Sequence, residues 1–169
     1  MTETNITIDR DKRQMVMTRV FDAPRELVFK TYTDPQLLPQ WWGMGGTTTV
    51  DKMDVRPSGQ WRYVQHDDSG NQYAFSGVYQ EVVPPERLAY TFEFEAMPGH
   101  VLLETILFEE VDGKTQLTST SGFETLEDLE GMLQSGAENG AIVTWDRLAE
   151  LTSGLQSQEH SYATAVKQL

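Results

Sequence analysis

Residues 125–155, TLEDLEGMLQSGAENGAIVTWDRLAELTSGL, form the stretch whose pattern decides the fold. Apolar or small residues recur in it at steps of three and four, which places them along one side of a helix. They are Leu126, Leu129, Leu133, Ala137, Ala141, Thr144, Leu148, Leu151 and Leu155. Such a helix needs a surface to pack against. The alternation within residues 47–122 predicts short strands, which can supply that surface. We therefore expect one sheet wrapped around one helix.

Three glycines interrupt this helical pattern, at Gly131, Gly136 and Gly140. Each glycine inside a helix costs about 0.8–1 kcal/mol of stability relative to alanine, so the presence of three of them requires an explanation. One interpretation is a break, with one helix ending near Gln134 and a second running from about Glu138 to Ser153. The other is that the missing side chains leave room for a ligand between helix and sheet. The two interpretations are compatible, and the sequence leaves both open.

The length of 169 residues suits one domain with a substantial core. We expect a single domain over residues 13–155, with loosely held tails at 1–12 and 156–169. No apolar run is long enough for a membrane helix, and the polar N-terminus lacks a signal-peptide core, so we expect a cytoplasmic protein.

Composition and charge exclude several classes of function. The formal net charge of −13 repels phosphate backbones and anionic membranes, so we expect no nucleic-acid partner and no membrane insertion. The absence of cysteine excludes a disulfide framework, a zinc–thiolate site and a thiol nucleophile. The three histidines, His66, His100 and His160, have no metal-ligand spacing. We therefore expect no metal site and no cofactor, and we assign no catalytic residue.

The remaining pattern predicts an α+β protein with an antiparallel meander of about seven strands. The expected strands are residues 13–21, 47–55, 60–66, 72–83, 87–95, 100–111 and 114–121. Two short helices follow the first strand, one beginning at Asp22 and Pro24 with Asp22 as the capping carboxylate, the other after Asp34-Pro35.

Alternation of apolar and polar residues indicates which strand face points inward. Leu88, Tyr90, Phe92 and Phe94 alternate with smaller or polar residues, so we assign them to the inner face. In the next strand Leu102, Ile106 and Phe108 share a face, although Leu103 and Leu107 compete with them. If the Ile106 side is inward, Glu104 is buried as well and needs a hydrogen-bond donor such as Arg or Tyr.

The chain is rich in aromatic residues, with four Trp, six Tyr and seven Phe. Aromatic residues on inward strand positions ordinarily form core, but several of them facing a glycine-thinned helix also suit an apolar pocket with a few polar groups. Because helical neighbours point about 100° apart, one of Trp41 and Trp42 should face the core and the other a rim. The candidate ligand-binding residues are Trp42, Trp61, Tyr63, Phe75, Tyr90, Phe92, Met132 and Trp145.

Several stretches together resemble the family named for the activator of Hsp90 ATPase, in the START-like (SRPBCC) helix-grip superfamily. They are VFDAPRELVF at 20–29, TDP at 33–35 with WWG at 41–43, DVRPSGQW at 54–61, EVVPPERL at 81–88, DGKT at 112–115, and Gly140 with WDRL at 145–148. The family usually has glycine where this chain has Ser58. The similarity runs in order through residues 13–153.

The resemblance implies a helix-grip (START or Bet v 1-like) fold, with a curved sheet around a long C-terminal helix and a cavity between them. Members of the superfamily bind lipids, sterols, hormones or polyketides, and a few catalyse cyclisation. We therefore expect a small apolar or aromatic ligand as the partner. A cyclase or dehydratase acting on a polyketide-like substrate and a chaperone-associated interaction module are the alternatives. A homodimer and a chaperone partner also stay open, and binding is preferred to catalysis.

Overall fold

Eight antiparallel strands form one sheet in the order β1-β2-β8-β7-β6-β5-β4-β3. The computed structural model describes residues 3–43 and 45–167, with side chains as far as residue 159. The strands are β1 Asn5–Asp9, β2 Gln14–Phe21, β3 Thr47–Met53, β4 Gln60–His66, β5 Gln72–Val83, β6 Arg87–Phe94, β7 Leu102–Val111 and β8 Lys114–Gly122. From β3 to β8 each strand pairs with the next along the chain, as the short connecting turns predicted, and β2 pairs with β8.

Three α-helices and one short 3-10 helix complete the described chain. They are α1 Arg25–Thr33, the 3-10 helix Leu38–Gln40, α2 Leu126–Gln134 and α3 Ala137–Lys167. The N-cap of α1 is Pro24 without a side-chain hydrogen bond, so the expected capping role of Asp22 was wrong. Helix α2 is capped as its sequence suggests, because the Thr125 side chain accepts a hydrogen bond from the Asp128 backbone N–H. Within the described residues, no helix is both long and apolar enough to cross a membrane.

Strand β1 contradicts the expectation of a loosely held tail over residues 1–12. Asn5–Asp9 pairs in register with β2, which sets Ile6 opposite Met17 and Ile8 opposite Met15. The β-branched alternation of NITID indicates a strand, and its pairing with β2 raises the strand count from seven to eight. At the other end, α3 continues to Lys167, well beyond the expected boundary at residue 155. Residues 1, 2, 168 and 169 of the expected tails lie outside the described residues.

The helical pattern breaks where the glycines suggested. Helix α2 ends at Gln134, Ser135 is its C-cap, and Gly136 has a φ of 87°, a left-handed conformation that favours glycine. The Gly140 N–H then donates to the Gly136 carbonyl as α3 begins. The predicted break is therefore confirmed, and α3 starts one residue earlier than expected.

An aromatic cluster joins α1 and α3 to the sheet. Trp145 of α3 lies edge-on to Phe21 of β2, with 5.5 Å between ring centroids, and its indole N–H donates to the Tyr32 hydroxyl at 3.2 Å. Tyr32 in turn lies edge-on to Phe108 of β7 at 5.5 Å. All four side chains are buried, as is Leu148 one turn beyond Trp145. This cluster fixes α3 against one end of the sheet.

Replacing Leu148 with alanine should lower the free energy of unfolding by about 3–5 kcal/mol, because the side chain is fully buried and its removal leaves a cavity. Urea denaturation of the purified variant measures the loss. Ile142→Ala is the control in the same helix, since Ile142 is 37% exposed and its truncation should cost less than about 1 kcal/mol. Equal losses for the two variants would contradict the placement of α3 on the sheet.

Candidate functional site

A cavity of about 670 Å³ lies between the sheet and the segment where α2 gives way to α3. Strands β2, β6, β7 and β8 line its floor, and the small residues around the helix break line the opposite side. The floor residues are Met15, Met17, Tyr90, Phe92, Leu102, Glu104, Ile106, Ser119 and Ser121. The helical side consists of Met132, Ser135, Gly136, Ala137, Gly140, Ala141 and Thr144. The segment that breaks the helix therefore also borders the open space between helix and sheet.

A second group of residues borders the cavity from β5 and two loops. Trp42 and Phe75 lie edge-on to each other, with centroids 5.3 Å apart, and Phe75 also packs beside Phe92 at 5.5 Å. Glycines 43, 45 and 46 of the loop before β3 and Asp67 and Asp68 of the β4–β5 turn also border it. Trp41 is buried whereas Trp42 is half-buried against Tyr63 and Phe75, as the prediction for adjacent tryptophans required.

Glu104 is the one acidic side chain on the described floor of the cavity. Strand register places it directly between Ser121 of β8 and Tyr90 of β6. Its carboxylate oxygens accept hydrogen bonds from the Ser121 hydroxyl at 2.8 Å and from the Ser119 hydroxyl at 3.3 Å. The Ile106 side of β7 is therefore inward, with Leu102 and Phe108 buried and Leu103 exposed, which decides between the two faces that the sequence left open. The donors expected for Glu104, Arg or Tyr, were wrong, because cross-strand serines occupy the neighbouring positions.

The cavity perturbs the titration of the groups around Glu104. Burial raises the pKa of Glu104 to about 7, although the two serine hydrogen bonds act in the opposite direction. Burial likewise raises the pKa of Tyr32 and, well above its ordinary value, that of Tyr90, with the Glu104 charge adding to both shifts. Near neutral pH the phenols are therefore neutral, while the carboxyl group exchanges its proton.

The structure brings together five of the eight candidate ligand-binding residues. Trp42, Phe75, Tyr90, Phe92 and Met132 all border the cavity.

The other three candidates, Trp61, Tyr63 and Trp145, are buried in the core beside the cavity. The Trp61 indole N–H donates to the Thr91 carbonyl at 3.2 Å, and Trp145 belongs to the cluster with Tyr32 and Phe21. Alternation along a strand predicts the inward face, but it does not distinguish a packed position from one that borders a space.

Sequence reasoning missed several residues that border the cavity, among them Met15, Met17, Ser119, Ser121 and Phe123. The period-two spacing of Leu117, Ser119 and Ser121 would have placed both serines on the inner face of β8. A pair of inward hydroxyls is unusual in a sheet core, and it matches the inward glutamate of the neighbouring strand.

The comparison with known families agrees with this architecture. The family model described as Activator of Hsp90 ATPase homolog 1-like protein matches residues 22–153. The chain belongs to this family. Its eight-stranded sheet, long C-terminal helix and short helices after β2 are those of the START-like helix-grip fold.

Solved structures with the same fold come from several bacteria. Protein Ms6760 from Mycobacterium smegmatis is 26% identical, with a TM-score of 0.80 over 89% of this chain and 96% of its own. A protein from Staphylococcus epidermidis is 30% identical, with a TM-score of 0.74 over 88% and 94%. DynU16, a protein in the dynemicin biosynthetic locus, shares the fold at 18% identity, with a TM-score of 0.63 over 82% of this chain and 46% of its own. No curated protein matches the sequence. The fold of this family is compatible with ligand binding.

Replacing Glu104 with glutamine should stabilise the protein at alkaline pH and change its pH dependence. Because the folded state raises the pKa of Glu104 from 4.5 to about 7, the contribution of Glu104 to stability is fully present below pH 4.5 and is lost as the pH rises through about 7. Glu104→Gln removes this loss, so the variant should be more stable than the native protein by on the order of 2 kcal/mol at pH 8, and the difference should shrink toward pH 4.5. Urea denaturation across this range tests it.

Glu110→Gln is the matched control, since Glu110 is an exposed glutamate of the same strand and its replacement should change the stability by less than about 0.5 kcal/mol. A constant stability difference between Glu104→Gln and the native protein from pH 4.5 to pH 8 would show that Glu104 titrates normally.

Proposed function

We propose that this protein binds a small ligand with an apolar, largely aromatic body in the cavity between the sheet and helices α2 and α3. The observation that carries the proposal is the cavity itself, whose volume of about 670 Å³ lies within the range of small-molecule sites. The proposed contacts are the five candidates that border it, Trp42, Phe75, Tyr90, Phe92 and Met132.

The chemistry of the lining supports an apolar ligand. Aromatic rings stand at roughly 5–6 Å from one another around Phe75, so that a planar molecule can pack edge-on or offset against several of them. Methionines 15, 17 and 132 add flexible side chains that adapt to different shapes. Polar groups are few and lie at defined points, which is the usual arrangement for orienting a bound molecule.

The small residues of the helical side support the proposal independently. A leucine or phenylalanine at position 137, 140 or 141 would fill the space that the glycines and alanines leave open. A protein under selection for stability alone gains by filling such a space, because each missing contact costs packing energy. The retained volume is therefore best explained by an occupant.

Filling the cavity from α3 should weaken binding without unfolding the protein. Ala141 is half-buried and borders the cavity, so Ala141→Phe places a ring in the space that the ligand would occupy. We expect affinity for ligands found in a screen of aromatic compounds and lipids to fall by about tenfold or more. Tryptophan fluorescence and thermal shift measure binding, and a ligand at a hundred times its Kd should add about 2.7 kcal/mol of stability.

The control is Val143→Phe, two residues along the same helix, where the side chain is 37% exposed and the added ring enters solvent. This variant should bind like the native protein. If no compound in a chemically diverse screen binds, or if both phenylalanine variants bind normally, the cavity is not the binding site.

Glu104 favours a second candidate function, a cyclase or dehydratase acting on a polyketide-like substrate. General acid–base catalysis works best when the pKa of the group lies near the operating pH, and burial brings the pKa of Glu104 to about 7. In this function Glu104 would transfer a proton to or from the bound substrate. DynU16, which shares the fold, belongs to a biosynthetic locus.

Turnover assays distinguish catalysis from binding. Incubation with short poly-β-ketone mimics should give a cyclised or dehydrated product with the native protein and with Glu110→Gln. Glu104→Gln should lower the rate by about a hundredfold or more while it still binds the mimic. Binding of such mimics without any protein-dependent product would leave ligand binding as the function.

A further inference from the structure

No cationic side chain among residues 3–43 and 45–159 forms an ion pair with the Glu104 carboxylate. Its two serine hydrogen bonds use two of about four acceptor positions on the carboxylate, so further positions are available to a ligand. The neighbouring Tyr32 hydroxyl is engaged by the Trp145 indole N–H. A carboxylate held in an apolar site by neutral donors alone is a strong acceptor whose charge is uncompensated.

The part of the cavity wall that the structure describes contains no compensating charge. None of the described residues that border it is Lys, Arg or His, and the acidic residues among them are Glu104, Asp67 and Asp68. Arg19, on β2, is 9% exposed and pairs with Asp146 of α3 at 2.6 Å, outside the cavity lining. Arg147 of α3 donates to the backbone carbonyls of Gly43 and Gln40.

We infer that the ligand of this cavity carries an ammonium group, which pairs with Glu104, while its apolar body lies against the aromatic walls. This inference rests on the proposed function and narrows its ligand class. An ammonium supplies the counter-ion that is absent from the described lining and fills the remaining acceptor positions of the carboxylate. Tyr90, directly opposite Glu104 in the sheet, presents an aromatic ring that also attracts a cation.

The same charge pattern disfavours anionic ligands. A fatty acid or a phosphorylated lipid would bring its negative group among three carboxylates without meeting a cationic side chain in the described lining. The net charge of −13 adds a long-range repulsion against the approach of anions and an attraction for cations.

The pH dependence of binding follows from the state of Glu104. The pKa of Glu104 in the protein without ligand is about 7. Below that pH an ammonium ligand must displace a proton from the carboxyl group, so the affinity for the ligand should fall as the pH decreases. The groups that face Glu104 from the neighbouring elements do not titrate in this range. They are the phenols of Tyr32 and Tyr90, whose pKa values are raised, and the hydroxyls of Ser119 and Ser121.

Four naphthalene probes with one skeleton test the inference: 2-(aminomethyl)naphthalene, 2-(hydroxymethyl)naphthalene, 2-methylnaphthalene and 2-naphthoic acid. Isothermal titration at about pH 8 should show the amine binding at least about tenfold more tightly than the methyl probe, with the acid weakest. In Glu104→Gln the preference for the amine should vanish while the methyl probe keeps its affinity. Glu110→Gln should behave like the native protein.

A second measurement on the native protein does not depend on a variant. Between about pH 8 and about pH 5.5 the affinity for the amine should fall by about tenfold or more, and that for the methyl probe should stay constant.

The outcomes separate the two proposals. Four results would overturn the inference of an ammonium ligand and leave the cavity as a binding site. They are equal binding of all four probes, an amine preference that survives in Glu104→Gln, a hydroxymethyl probe that binds as tightly as the amine, and an amine affinity that does not change with pH. Failure of every probe and of the wider screen overturns the proposed function, and the ammonium with it.

Discussion

The structure depends on helix α3 being held tightly to the sheet around Trp145 and Leu148. Trp145 packs against Phe21 and donates a hydrogen bond to Tyr32, so a single side chain links α3, α1 and β2. Large buried side chains continue from there through Leu148. Toward the start of α3 the side chains facing the sheet shrink to Gly140 and Ala137, and the interior opens into the cavity. A gradient of side-chain size along one helix therefore produces both the core and the space.

The same arrangement explains the state of Glu104. A glutamate in the packed core near Trp145 would need a cationic partner for its charge, since an isolated buried charge is very costly. At the border of the cavity it can exchange a proton, and the serines of β8 stabilise its charge without neutralising it. Strand register, which is a backbone property, decides that these groups meet. The register of β6, β7 and β8 places Tyr90, Glu104 and Ser121 in one cross-strand row, and this row makes the floor of the cavity polar.

Membership of the Activator of Hsp90 ATPase homolog 1-like family describes the scaffold and leaves the chemistry open. Proteins 18–30% identical to this chain retain the sheet and the long helix. Folds of this kind carry different functions in the residues that line their interior, so the argument for a ligand has to come from the cavity of this particular chain. In this chain those features are the aromatic walls, the uncompensated carboxylate and the absence of a cationic residue from the described lining.

Much of the fold followed from the sequence because its causes are local. Period-two alternation located β3 to β8 to within two residues at each end, and three glycines located the helix break. β1 was missed because five residues are too few for their alternation to stand out within a polar N-terminal segment, and only the pairing with β2 makes the strand evident.

The candidate site was only partly predictable, because its shape depends on the separation of elements distant in the chain. Trp61 and Phe75 both face inward, yet one fills the core and the other borders the cavity. The sequence by itself determined the strands, their inner faces and the break between the two C-terminal helices, since each depends on residues that are close in the chain. The tertiary structure alone decided where the interior stays open and that Glu104 meets two serines instead of a cation, since both depend on register and on the depth at which α3 packs.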